Sequence, residues 1–476
     1  MIKDSNGKEK DTLRAPLRAN SISRRELLGK AAVAAGAFTI VPSYVLGANA
    51  SGQKPPSEKL NIATIGIGGM GHSNTRKCAD AGENIVALCD VDEKHAAKVF
   101  DEYPNAKKYS DFRKMLEEVR NIDAVIVATP DHTHAVAAMM AIKMGKHVYV
   151  QKPLTRTVYE ARKLTEAARQ YKVATQMGNQ GHSGEGIRLM CEWIWDGAIG
   201  PIKEAHAWTN RPVWAQGIDR PKDTPPVPAG LDWDLWIGPA PMRPYNPVYH
   251  PFSWRAWVDF GCGALGDMAC HILDPAFWAL KLKYPISVEA CMSTRMSGEG
   301  WGKVGVRETY PQASIVRYKF PARGKMPEVK VCWYDGGLMP ARPDELEPGR
   351  MMGDEDGGVI FIGEKGKMMC GCYGSNPRLI PEKKMEAYKR PPKTLPRIKD
   401  GMDGHEKDWI AACKGGPAAS SNFDYSGPFT ETVVMGNLAM LNPNKMLEWD
   451  GENMKVTNDE AANEYVNPPY RASWTL

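Results

Sequence analysis

Three groups of residues in this chain have types and spacings suited to chemistry. The first is Gly66-Ile67-Gly68-Gly69-Met70-Gly71, which follows directly on the apolar run Leu60–Ile65. A glycine-rich turn between a strand and a helix brings backbone close to a pyrophosphate, and the helix start offers unpaired N–H groups to it. Gly66 permits the tight turn, Gly68 the close approach, and Gly71 the packing of helix on strand. Asp90 lies 19 residues after Gly71, at the end of the next apolar run. Its carboxylate suits the hydroxyls of an adenosine ribose and repels a 2′-phosphate, which favours NAD over NADP. The second group is Asp267 and His271, four apart and so on one face of a helix, as an acid–base pair requires. The third is Gln151-Lys152-Pro153 together with Thr129-Pro130-Asp131-His132-Thr133-His134, each following a short apolar run.

These groups need a scaffold, and the hydrophobic pattern supplies one. Strands are expected at 60–65, 85–89, 124–128, 147–150 and 173–177, and helices at 93–100, 111–119, 134–144 and 158–171. Strands alternating with helices imply an α/β fold with a parallel, doubly wound Rossmann sheet. Its ligand crevice lies beyond the carboxyl ends of the strands, where the glycine turn, Asp90, the 129–134 loop and Lys152 all fall. After Met177 the character changes, with a helix expected at 186–195 and a strand at 202–208. Residues 208–257 hold six of the 14 Trp and ten Pro, a composition that excludes regular helix and central sheet. A long ordered loop is expected there, and such loops are commonly functional. Further strands are expected at 313–320, 329–333 and 359–362, helices at 405–413 and 429–440 packing back on the first domain, and a solvated surface arm at 374–402.

At this point the sequence resembles the Gfo/Idh/MocA family of NAD(P)-dependent sugar and polyol oxidoreductases. The resemblance is carried by the glycine motif, Ala128-Thr129-Pro130-x-x-x-His134, Gly145-Lys146-His147-Val148, Lys152-Pro153 and Gly263-Ala264-Leu265-Gly266-Asp267-x-x-x-His271. It implies a Rossmann NAD-binding domain over 59–181 and, over 182–476, an α/β substrate-binding domain with an open, mostly antiparallel sheet. One sheet face would serve a homodimer or homotetramer. Lys152, Asp267 and His271 are the implied catalytic residues. Cofactor contacts are expected from Gly66, Gly68, Gly69, Met70, Gly71, Asp90, Thr129, Pro130, His134, Gln151 and Lys152. One departure stands out: the family's usual Glu-Lys-Pro is Gln151-Lys152-Pro153 here, which removes a negative neighbour from the lysine.

Tryptophan faces suit the C–H face of a sugar ring, so substrate contacts are expected from Asn210, Arg211, Trp254 and Arg255, with Asn179 and His182 from the polar turn after Met177. In the expected reaction His271 takes a hydroxyl proton while the same carbon gives up hydride, with C3 of a hexopyranoside as the favoured position. Lys152 steadies the developing alkoxide, and Asp267 orients His271 or the substrate and raises the histidine's proton affinity. The competing reading is a redox-neutral glycoside hydrolase that oxidises, eliminates, hydrates and reduces one sugar. It needs a further base, for which Tyr245, Tyr249 and His182 are conceivable. A third reading, a sugar-binding protein without turnover, is disfavoured by the intact Lys152, Asp267 and His271.

Composition is that of a soluble globular protein: 476 residues, 43% hydrophobic and 25% charged, too regular for disorder and long enough for two or three domains. The net charge of +5 is concentrated in the first fifty residues, which hold eight basic and four acidic side chains. The remainder is almost neutral, so no nucleic-acid footprint exists. Ser23-Arg24-Arg25-x-Leu27-Leu28, a short apolar run and Ala48-Asn49-Ala50 resemble a twin-arginine export signal over 1–50, followed by a linker over 51–58. The run is too short for a membrane span. Export would place the protein in the periplasm or otherwise outside the cytoplasm, where no free NAD pool exists, so the cofactor is expected to stay tightly bound. The 10 Cys show no Cys-x-x-Cys spacing, and neither a metal nor an obligatory disulfide is expected.

Overall fold

The computed structural model describes residues 58–296, 303–304 and 308–476; the expected leader and most of the linker lie outside them. The first sheet comprises β1 (Asn61–Ile65), β2 (Asn84–Cys89), β3 (Lys107–Tyr109), β4 (Ala124–Val127), β5 (His147–Val150) and β6 (Thr175–Met177). All pair in parallel, in the order β3-β2-β1-β4-β5-β6. That is the doubly wound arrangement. Every residue of β4, Ala-Val-Ile-Val, is buried, as a parallel strand covered on both faces requires.

The crossover helices are α1 (Gly69–Asp80), α2 (Glu93–Glu102), α3 (Phe112–Glu118), α4 (Asp131–Lys143) and α5 (Val158–Tyr171). Local sequence sets their starts. Asp92 and Asp111 accept backbone N–H bonds at the caps of α2 and α3, and Thr157 with Glu160 forms a capping box on α5. The helix expected from His134 begins at Asp131 instead, immediately after Pro130, so the whole Asp-His-Thr-His segment belongs to its first turn.

The second half contains α6 (Glu185–Trp195), β7 (Ile202–Thr209), the short α7 (Trp233–Ile237), α8 (Gly263–Ile272), α9 (Asp274–Ala279) and β8 (Ser287–Met292). A small ribbon, β9 (Arg295–Met296) with β10 (Lys303–Val304), follows. Then come β11 (Ser314–Phe320), β12 (Val329–Tyr334), β13 (Gly357–Gly363), β14 (Gly366–Gly371), β15 (Arg378–Ile380), α10 (Glu382–Ala387), α11 (His405–Cys413), α12 (Phe423–Leu441), β16 (Met446–Asp450) and β17 (Lys455–Val456). Nine of these strands form one open sheet, β15-β14-β13-β7-β12-β11-β8-β16-β17, antiparallel except where β7 meets β12. The 208–257 loop is irregular apart from α7 and one 3-10 turn at Ser253–Ala256.

One buried apolar cluster runs from Ala63 and Val125 under the first sheet, through Leu265 and Val433, to Ala205, Val316 and Phe361 of the second. Helix α11 closes on the first sheet, with Trp409 set edge-on to Tyr149 at 5.6 Å. Helix α12 starts at Phe423, six residues before the expected start at 429. Pro428 lies near its N-terminus, where a missing N–H costs one early hydrogen bond and does not end the helix. The 374–402 segment lies on the surface as expected, but it is more structured than an arm. It contains β15 and α10, and Arg397 pairs with the buried carboxylate of Glu192 at 2.6 Å while the backbone N–H groups of Thr394 and Leu395 donate to it. Among the described residues no helix is long and apolar enough to cross a membrane.

Candidate active site

A cavity of about 600 Å³ runs across the carboxyl ends of the first sheet. Ser110 and Phe112 stand at its β3 end, Asp90 follows β2, Gly66–Met70 follow β1, and Thr129–Asp131 follow β4. Lys152 follows β5 at the other end. The crevice position read from the strand pattern is therefore the observed one.

The glycines are used as their lack of a side chain predicts. Gly66 has φ +77°, and a Cβ there would stand 2.7 Å from the Ala128 carbonyl oxygen. A Cβ at Gly71 would meet the Gly66 oxygen at 1.9 Å, so α1 rests directly on the turn. At Gly68 the space for a Cβ is taken by His95, whose Nε2 would be 2.0 Å away. Gly69 faces open space, and no side chain caps α1. Unpaired N–H groups at a helix start, open space in front of them and an acidic residue on the next strand fit a dinucleotide. Asp90 accepts from the backbone N–H of Ile67 at 2.9 Å and of Asp92 at 3.0 Å; burial raises its carboxyl above the usual range against these bonds. Met70 is exposed at the rim.

The Trp-rich loop forms the roof. Leu235, Trp236, His250, Phe252 and Trp254 line the cavity from it. The Asp232 N–H donates to the Val91 oxygen at 2.8 Å, the Glu93 N–H to the Gly230 oxygen at 2.9 Å, and His250 meets Asp92 at 2.8 Å. His132 reaches up from α4, its ring nitrogens 2.9 Å from the Trp236 oxygen and 3.2 Å from the Phe260 oxygen. Burial pushes this imidazole down to about 3, so it is neutral and its single N–H donates to one of the two oxygens. His134 has the same character: its nitrogens lie against the Pro153 and Thr129 oxygens, and burial lowers it to about 4. Neutral, it donates its single N–H to one of these two loops, packs between them and does not itself line the cavity.

At the β5 end the catalytic candidates meet. The Lys152 ammonium donates to the Asp267 carboxylate at 2.9 Å and to its backbone oxygen at 2.7 Å. Asp267 sits on α8, also 3.5 Å from Arg255. Burial opposes its charge, but Lys152 and then Arg255 hold its carboxyl below the usual range. The negative neighbour missing at Gln151 is thus supplied by Asp267; the Gln151 amide points instead to Asn74, donating at 2.8 Å. His271, one turn along α8, is 4% exposed and its Nδ1 has no partner among the described residues. Burial first, and Lys152 second, push it well below the ordinary imidazole range; Asp267 raises it and is outweighed. The gain in proton affinity from Asp267 has the expected sign and is outweighed by burial. His271 is neutral.

The candidate substrate residues divide. Trp254 and Arg255 line the cavity, the guanidinium 4.2 Å from the Trp254 ring. Asn210 and Arg211 lie outside the crevice wall, bonded to the Glu355 oxygen at 2.7 Å and to the Asp356 carboxylate at 3.1 Å. Asn179 and His182 are fully buried below the cavity, both on Asp274, at 3.1 and 3.0 Å. His182 also stacks on Trp278 at 4.3 Å. Two residues escaped the sequence reading. Asp131 lines the cavity beside Lys152, and burial raises its carboxyl to about 7 against the pull of Arg255 and Lys152. Tyr373 packs its ring on His271 at 4.7 Å. Asp131 was visible inside the 129–134 segment; Tyr373, about a hundred residues from its neighbour in sequence, carried no signal.

Fold and crevice define a dinucleotide-binding Rossmann domain joined to an open-sheet α/β domain. Residues 60–179 match the family model described as "Oxidoreductase family, NAD-binding Rossmann fold", and residues 202–303 match the same family's C-terminal alpha/beta domain. Over these two stretches the chain matches the Gfo/Idh/MocA oxidoreductase family. It is 26% identical over 229 residues to the levoglucosan dehydrogenase of Pseudarthrobacter phenanthrenivorans, covering 46% of this chain and 50% of that protein. It is 30% identical over 157 residues to the inositol 2-dehydrogenase of Serratia proteamaculans, covering 32% and 47%. The chain thus spans about half the length of the curated relatives it matches. Among solved structures, the WlbA dehydrogenase from Bordetella pertussis in complex with NADH and UDP-GlcNAcA has a TM-score of 0.55 at 16% identity, covering 82% of this chain and 99% of that one. Levoglucosan dehydrogenase in complex with NADH has 0.53 at 19%, with the same coverages. These likenesses establish the fold.

Proposed function

We propose that the protein is an NAD-dependent oxidoreductase that removes hydride from a secondary hydroxyl-bearing carbon of a sugar, polyol or glycoside, with C3 of a hexopyranoside the favoured position. The observation that carries this reading is the Lys152–Asp267 pair lining the crevice end away from Asp90, with a neutral His271 one turn along α8, buried behind the lining. The activities for which the relatives are named, levoglucosan and inositol dehydrogenation, support the substrate class.

The residues divide the work as follows. Gly66, Gly68, Gly69, Met70 and Gly71 would hold the pyrophosphate of NAD, Asp90 the ribose, and Thr129, Pro130, Gln151 and Lys152 its far end. Bound NAD supplies the hydride acceptor. His271, neutral and with a lone pair to offer, takes the proton of the substrate hydroxyl. Lys152 donates a hydrogen bond to that oxygen as negative charge grows on it. Asp267 fixes the ammonium in place and keeps the pair balanced. Trp254 and Arg255 contact the substrate from the roof. The hydrolase alternative draws no support from the bases it would need. Tyr245 and Tyr249 are packed in the aromatic cluster around Trp233, and His182 is held by Asp274.

The leader over 1–50 supports export by the twin-arginine route with NAD tightly bound, and a homodimer or homotetramer is the expected assembly. The test is to mix the purified protein, with no cofactor added, with levoglucosan, myo-inositol and methyl glucoside. Reduced-nicotinamide absorbance is followed and the products are analysed. A rise stoichiometric with protein, together with a keto product, supports the reading. Free glucose without lasting absorbance change replaces it with the hydrolase.

A further inference from the structure

Tyr373 occupies a backbone conformation that an aromatic residue rarely adopts, φ +59° and ψ +17°, in the turn after β14. The surroundings force it. Asp354 accepts from the Cys372 N–H at 2.8 Å and the Ser375 hydroxyl at 3.0 Å, clamping the turn from outside. A Cβ on Gly371 would strike that carboxylate at 2.1 Å. On the other side the turn is pressed against glycines of the α6 approach. A Cβ on Gly181 would meet Tyr373 at 3.1 Å, and one on Gly186 would meet the Gly374 oxygen at 2.0 Å. Five positions are thus fitted to a turn whose product is the placement of one phenol ring. Strain held in this way is concentrated at functional sites.

That ring lies on His271, with centroids 4.7 Å apart and planes tilted by 53°. Tyr373 is half-buried and does not line the dinucleotide crevice. Its hydroxyl has no hydrogen-bond partner among the described residues. Burial, with Cys372, Asp356 and Asp267 adding to it, raises the phenol to about 12, so it keeps its proton at any working pH. The ring, and not the hydroxyl, meets the imidazole, so the phenol is a donor whose hydroxyl is left free for a ligand. The Arg211–Asp356 ion pair stands in the same neighbourhood, Asp356 raising the phenol and Arg211 lowering it.

We propose that Tyr373 is a substrate-facing, specificity-determining residue of this site, whose hydroxyl hydrogen-bonds a polyol hydroxyl adjacent to the one that gives its proton to His271. The inference rests on the dehydrogenase reading for the identity of the ligand. It places substrate on the His271 side of Lys152, between α8 and the β14 turn, and selects for vicinal hydroxyls over an isolated one. The phenol takes no part in proton abstraction.

The experiment compares wild-type holoenzyme with Tyr373→Phe and Tyr373→Ala, using myo-inositol, levoglucosan and methyl glucoside as probes. Bound NAD is quantified after acid release, polyol binding is measured by equilibrium dialysis, and KM and kcat are determined from NAD reduction. Tyr373→Phe is expected to keep its NAD and melting temperature. Its polyol Kd and KM should rise about tenfold, the loss of one neutral hydrogen bond, with kcat changed less than threefold. Tyr373→Ala should lose kcat as well, because His271 loses its packing. A Tyr373→Phe protein that binds and oxidises polyol as the wild type does, beside a defective Tyr373→Ala, reduces the residue to a packing role and overturns the proposal. Wild-type protein that retains NAD but binds none of the three probes overturns the functional reading together with it.

Discussion

Two clusters in this molecule are built from the same residue types and do different work. Near the crevice, His271 shares α8 with Asp267 and keeps an unpartnered Nδ1. Below it, His182 is tied to Asp274 at 3.0 Å, Asp274 also takes bonds from Asn179 and the Tyr425 hydroxyl, and the Ser421 hydroxyl bonds Asn179. Both histidines are almost wholly buried. Burial therefore does not distinguish the reacting histidine from the structural one. Satisfaction does: a fully bonded buried network specifies packing, whereas His271 keeps an unsatisfied nitrogen one helical turn from the cavity-lining Asp267.

The largest effects should separate these clusters. His271→Asn is expected to lower kcat by about 10³-fold, within the range for removing a general base, with NAD content and melting temperature near wild type. His182→Asn should do the reverse. It leaves Asp274 short of a partner in the interior, which costs roughly 3 kcal/mol or more of stability, and leaves kcat per folded molecule close to normal. Thermal melts and single-turnover absorbance on the two variants decide it. A folded His182→Asn with a thousandfold rate loss would erase the contrast.

Asp131 offers a sharper version on the cavity side. Its carboxyl keeps its proton to about pH 7 in the folded protein, whereas in an unfolded chain it loses it near 4. Across that window the folded state binds more protons, so stability falls as pH rises and the loss is complete above about 7. The shift corresponds to at most about 4 kcal/mol. Asp131→Asn cannot ionise and should lack this slope. Its stability relative to wild type should climb between pH 4 and 8, read by denaturant melts at each pH. Parallel pH curves would show Asp131 to be ionised throughout.

Much of this was legible in advance, for identifiable reasons. The first sheet is made of local units whose apolar runs and glycine turns lie within a few residues of each other, and α8 brings Asp267 and His271 together by helical spacing alone. The His182–Asp274 pair joins positions 92 apart, and no spacing rule connects them, so His182 read as a polar-turn contact. β3 is three residues, two of them Lys, and carries no alternation. β14 is bounded by glycines that resemble turn signals. Tyr373 depends on a strained turn whose clamps, Asp354 and Gly186, are assembled only by the fold.

The smallest effects concern histidines away from the reaction. Burial holds His405 down to about 4, its ring bonded to the Met177 oxygen and the Ser183 hydroxyl, both at 2.7 Å. An unfolded histidine takes up a proton near 6.5. The folded state therefore binds fewer protons below that value, and stability present above pH 6.5 is lost as pH falls toward 4, by about 3 kcal/mol for this ring. His72 is different: it meets Glu102 at 2.6 Å on the surface, where such pairs contribute about 0–1 kcal/mol. Melting curves between pH 4 and 7 should be shallower for His405→Gln than for wild type, though its melting temperature is lower at every pH. His72→Ala should track wild type within a degree or so. If His72→Ala altered the acid slope as strongly as His405→Gln, burial would not be what sets these histidines apart.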